Sequence, residues 1–194
     1  MANSNAPVGL WPIRDTSGRL WTGAANIYYI PSDYAQNVFL GDPLIPSGTS
    51  DANGIPGVTL ATAGTSNYTL GPMVGIVNGG DPIVSVTRDL PIYHTASTSQ
   101  YILVADDPNL LFMAQEDGNM GVNSSMANVN LVAGSGSTAT GYSGWQLSSA
   151  SVNTTATLQM RLFSPYQITG NAPGTNAKWL AKINLHSMTN TTGI

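Results

Sequence analysis

The sequence predicts an all-β protein, an antiparallel β-barrel or jelly-roll-like sandwich with an extended N-terminal arm. Three observations predict it. Apolar residues almost never recur at the helical period. Short β-branched and aromatic runs follow one another at sandwich-like intervals instead. Twelve prolines and 21 glycines punctuate them, leaving little room for a helix of more than a few turns.

Taken in order, the runs that read as strands are 26–30, 37–40, 58–63, 73–77, 83–87, 100–105, 110–115, 128–132, 154–163 and 178–186. The clearest alternation is in 154–163, where Ala156, Leu158, Met160 and Leu162 interleave with Thr155, Thr157, Gln159 and Arg161. In 178–186, Trp179, Ala181, Ile183 and Leu185 form an apolar set. Lys178, Lys182, Asn184 and His186 point the other way, with Leu180 the exception. Asp42-Pro43, Ile45-Pro46, Asp81-Pro82 and Asp107-Pro108 favour turns, and Asn53-Gly54 is a hairpin signal because both residues tolerate positive φ. Gly79-Gly80 and 134–136 mark further loops, and 118–127 fits one short helix or a loop. The first 25 residues carry Trp11, Arg14, Arg19 and Trp21 with few strand signals. They fit an extended arm that anchors on a neighbour through its tryptophans, and equally an ordinary first hairpin packed on its own barrel. Residues 26–194 read as a single β-rich domain.

Composition narrows the function. The 194 residues hold six basic and ten acidic side chains and no cysteine, so disulfides, thiolate metal sites and a cysteine nucleophile are excluded. Charged residues are 8% of the chain, far below the roughly 25% of an average soluble domain. Ser, Thr, Asn and Gly supply 77 residues. A neutral, hydrogen-bonding surface of this kind suits a subunit packed against other subunits. A net charge of −4 argues against nucleic-acid binding. No apolar run is long enough for a membrane-spanning helix, and 1–7 has no secretory-signal character. All ten acids precede residue 118, so residues 1–117 carry −7 and the rest +3, from Arg161, Lys178 and Lys182. Such a split fits chance in a charge-poor sequence, and equally complementary faces that meet within the chain or between neighbouring subunits; the second reading makes Lys178 and Lys182 candidate contacts beside Trp11, Arg14, Arg19 and Trp21.

No catalytic constellation emerges. The stretch 134–139 mimics a dinucleotide-binding loop, but no helical pattern follows it and no acid occurs after Asp117. Only His94 and His186 could serve a serine nucleophile, there is no Gly-x-Ser-x-Gly elbow, and polar sequence neighbours suggest surface or interface histidines. Asp106, Asp107 and Asp117 are the acids that could hold calcium, although turn acids more often cap backbone amides. No cofactor is expected. Four Asn-x-Ser/Thr sequons, at Asn67, Asn123, Asn153 and Asn190, are unsurprising in this composition.

Several segments, in order, resemble the head decoration or cement proteins of tailed bacteriophages. These are Val38-Phe39-Leu40-Gly41-Asp42-Pro43, the block from Tyr101 through Ala105-Asp106-Asp107-Pro108 to Glu116, the loop 134–144, and Lys178 to His186. The resemblance implies a β-rich, non-enzymatic virion protein made in the bacterial cytoplasm and bound to the head surface. It would clamp neighbouring major capsid protein subunits against internal DNA pressure, as a homotrimer or else a dimer. The alternative reading is a receptor- or glycan-binding fibre or lectin-like module, with Tyr142, Trp145 and Tyr166 as its stacking residues.

Overall fold

A computed structural model describes residues 3–77 and 91–190. The expected strand at 83–87 and the turns at Gly79-Gly80 and Asp81-Pro82 lie outside these residues. The described chain is nearly all-β, with antiparallel sheets in a sandwich-like arrangement. Its strands are β1 (Trp11–Asp15), β2 (Asn26–Ile30), β3 (Val38–Phe39), β4 (Pro43–Ser50), β5 (Pro56–Leu60), β6 (Gly71–Val77), β7 (Tyr93–His94), β8 (Gln100–Val104), β9 (Leu110–Gln115), β10 (Asn128–Val129), β11 (Leu131–Val132), β12 (Gln146–Leu147), β13 (Met160–Pro165) and β14 (Lys178–Ile183).

Two cores result. The closed barrel β2-β5-β4-β6-β8 is filled by Ile30, Leu44, Val58, Met73, Ile102 and Val104, all fully buried. The five-stranded sheet β1-β9-β14-β13-β10 buries Phe112, Trp179, Ala181, Met160 and Leu162 on one face, against Leu131, Trp145 and Leu147 in and beside the β11–β12 ribbon. Each such Leu or Phe contributes about 1.5–3 kcal/mol through burial.

The Ala-Asp-Asp-Pro turn is the crossover from barrel to sheet, between β8 and β9. Asp106 anchors it, because both carboxylate oxygens accept from Asn26 Nδ2 at 2.9 Å and Oδ2 accepts from the buried Tyr28 hydroxyl at 2.7 Å. Asp107 caps the turn by accepting from the Asn109 amide at 2.8 Å.

Several expectations are corrected. The N-terminal segment is not a free arm but the first hairpin. β1 pairs with β9 from Trp11↔Met113 to Asp15↔Leu110, and the Trp21 amide returns to the Ile13 carbonyl. Upstream, Asn3 exchanges hydrogen bonds with Ala172, and the Gln115 side chain bonds Ser4 and Ala6. Those bonds hold the segment on its own chain. Pro43 and Pro46, expected in turns, lie within β4. Pro43 opens the strand and Pro46 borders a register shift, both of them places where a sheet tolerates proline. The expected long strand 154–163 begins only at Met160. Asn153 Oδ1 instead accepts from the Thr154 amide and the Thr155 hydroxyl, local bonds that compete with a ladder. Gln159 is buried, accepting from Gly64 and Leu131 amides and donating to Thr62. The segment 128–132 divides into β10 and β11, and β14 ends at Ile183, three residues before His186. The hairpin turn at Asn53-Gly54 forms as expected, with Asp51 Oδ1 accepting from the Asn53 and Ile55 amides. Residues 122–124 form a single 3-10 turn.

Candidate functional site

The face of the five-stranded sheet opposite its core gathers four of the six residues singled out by sequence. Strand pairing places directly opposed residues on one face. Trp11 on β1 stands opposite Met113 on β9, which stands opposite Leu180 on β14. One step along, Arg14, Leu111, Lys182, Arg161 and Asn128 form a continuous row across all five strands. Lys178 lies at the other end of β14, opposite Gln115. The core face alternates with these, through Phe112, Ala181 and Leu162. No Asp or Glu occurs in these outward rows.

The local chemistry is aromatic and cationic. The Trp11 and Tyr142 rings meet edge to face at 6.0 Å, bordering an apolar hollow with Val8 and Met113. The Arg14 guanidinium stands 5.5 Å over the Phe163 ring, although β9 and β14 lie between their strands. That reach carries the Arg14 stem across the face on which Leu111 and Leu180 are buried. Phe163 itself is 40% exposed.

Arg19 and Trp21 do not join this face. Arg19 sits at the β1 hairpin tip and pairs with Asp15, Nε to Oδ2 at 2.7 Å. It is the one salt bridge among the described residues. Bonds from Ser17 and then from Arg19 hold the Asp15 carboxyl down at about 2. Trp21 packs against the sheet core and donates from Nε1 to the Ala24 carbonyl at 2.9 Å, so it anchors the hairpin internally. Arg161, which no local pattern separates from the other charges, becomes a member of the face through its pairing with Lys182.

The histidines and acids weighed for catalysis and metal binding have separate partners among the described residues. Both histidines are buried, which corrects the expectation of surface side chains. His94 lies in β7 near the Tyr34 ring, and burial lowers its pKa. His186 bridges to Thr69 beyond the end of β14, and its Nδ1 accepts from the Met188 amide at 3.0 Å. Asp106, Asp107 and Asp117 serve separate partners, Asp117 accepting from the Ser149 amide at 2.7 Å. Among the described residues no three His, Cys, Asp or Glu gather as a metal site. Glu116 is buried and bonds the Met120 and Ala177 amides, and burial raises its pKa. In the dinucleotide-like loop, Gly134 passes so close to Gly144 that an added Cβ would lie 2.1 Å from the Gly144 carbonyl oxygen. These glycines serve backbone crossing.

No family model matches the chain, and no curated protein or solved structure matches it either.

Proposed function

We propose that this chain is a non-enzymatic structural protein of a bacteriophage head, which binds the outer surface of the shell and clamps neighbouring major capsid subunits. The observation that carries the proposal is the sheet face opposite the core, where Trp11, Arg14, Lys178 and Lys182 stand half-buried around the buried Leu111, Leu180 and Gln115, in strand rows that contain no acid. Such a face suits a protein partner: aromatic anchors supply desolvated contact area, and the cations supply register. The charge-poor composition agrees with a subunit that works packed against others. The segments that resemble head decoration proteins include the β8–β9 crossover and β14, the elements that join barrel to sheet and present this face.

The mechanism is mass action. A protein that binds only the assembled shell stabilises it in proportion to the logarithm of its concentration over Kd. Self-association, as a trimer or dimer, would multiply weak contacts into slow release. The test is sedimentation of the purified protein with empty phage heads. Saturable co-sedimentation that Trp11→Ala weakens supports the proposal, and absence of binding at any accessible concentration refutes it. The glycan-binding reading has less support, because Trp145 is buried in the sheet core and only Tyr142 and Tyr166 remain for stacking.

A further inference from the structure

The outward row ends in a feature that clamping alone does not explain. Arg161 and Lys182 stand directly opposite one another on β13 and β14, like charges on the same face. Such pairing destabilises a sheet unless an anion lies between the two. Neither forms an ion pair among the described residues. Arg161 spends only Nε, on Asn128 Oδ1 at 3.1 Å. Both line a hollow of about 360 Å³ together with Asn109, His186, Thr189 and Ile183. The Asn109 side chain is exposed at its rim. His186 is 2% exposed and forms the floor of the hollow, its Nδ1 accepting from the Met188 amide and its Nε2 proton directed to the Leu70 carbonyl, so the cations of the rim are left as the binding groups.

Nearby acids do not fill the need. Asp106 is consumed by Asn26 and Tyr28, and Asp107 caps its own turn. Both act on His186 through space, yet neither reaches Arg161 or Lys182 as an ion pair.

We infer that the hollow between Arg161, Lys182 and Asn109 receives a carboxylate side chain from the protein partner. This rests on the proposed function in naming that partner as the shell subunit. Two facing cations with an amide donor match the oxygens of one Asp or Glu. A polyanion is disfavoured, since the chain carries −4 overall and nucleic-acid binding needs a run of phosphate contacts.

The test uses Arg161→Gln, Lys182→Gln and the double variant in two assays. Lys182→Gln removes no hydrogen bond, whereas Arg161→Gln gives up the bond to the buried Asn128 side chain; relief of the like-charge pair offsets that loss, and melting temperatures within a few degrees of the unsubstituted protein verify the fold. In the first assay the double variant binds empty heads about tenfold or more weakly, and the salt dependence of binding largely disappears. In the second, a short acetylated glutamate-containing peptide shifts the Asn109 side-chain amide resonance of the free protein, and does not shift it in the double variant. Head binding unchanged in the double variant overturns the inference while leaving the function intact. Failure of the unsubstituted protein to bind heads overturns the function, and the peptide titration then decides the hollow alone. A peptide that causes no shift, or inorganic phosphate that shifts the amide more strongly than the peptide, overturns the carboxylate assignment. So does a double variant altered in self-association but not in head binding.

Discussion

Asp42 is a buried acid whose ionisation the fold opposes. It lies at the start of β4 with 2% exposure, Oδ2 accepting from the Phe39 amide at 2.8 Å. Burial dominates, pushing its pKa from the ordinary 3.8 up to about 6, while Ser143 and the Phe39 amide pull the other way. A carboxyl that holds its proton more tightly when folded makes the native state bind more protons between those two values. Stability therefore falls as pH rises from about 4 to 6, and is flat in this group's contribution above that. A shift to about 6 corresponds to a loss of up to about 3 kcal/mol across the window. Asp42→Asn keeps an oxygen for the Phe39 amide and removes the titration. Urea unfolding followed by tryptophan fluorescence from pH 4 to 8 reads both proteins, and their difference cancels other groups, including the histidines, whose lowered pKa values act oppositely. Relative to the unsubstituted chain, the variant gains stability between pH 4 and 6 and then holds a plateau. A difference independent of pH would show that Asp42 titrates normally, and the burial reasoning would be refuted.

Other outcomes follow from single contacts. Asp106→Ala strands the Tyr28 hydroxyl and the Asn26 amide, so thermal unfolding should report a loss of about 1–3 kcal/mol. Millimolar calcium should leave the melting temperature unchanged, because Asp106, Asp107 and Asp117 face different partners; a rise of several degrees would contradict this. Gly41 has φ of +91°, and a Cβ there would lie 2.0 Å from the Val8 carbonyl oxygen. Gly41→Ala should cost more than about 1 kcal/mol and separate the N-terminal segment from the barrel, seen as faster proteolysis before Leu10. Phe112→Ala, in the centre of the sheet core, should cost about 3–5 kcal/mol in chemical unfolding.

The fold class was legible because turn residues and short β-branched runs are local signals. β2 and β9 fall on the expected residues for that reason. The failures have physical causes. Pro43 and Pro46 look like strand breakers, yet a strand start and a bulge accept them. The alternation of 154–159 is real, but Asn153 and Gln159 commit their polar atoms to turns and to the interior. Trp21 and the two histidines look available in sequence, and the partial burial of Trp21 and full burial of the histidines depend on tertiary neighbours that no local pattern reveals. Of the site, Trp11, Arg14, Lys178 and Lys182 were legible as individual residues. Their common face was not, since it arises from the order β1-β9-β14-β13, which brings residues 11 and 182 into one sheet. Arg161 entered only with that register.

The proposed function is tested most directly by electron cryo-microscopy of empty heads incubated with the purified protein. The account predicts ordered density on the outer shell surface at symmetry-related sites, with the outward rows of β1, β9, β14 and β13 turned toward capsid subunits. Bare heads at saturating protein, or density in which that sheet face points into solvent, would contradict it.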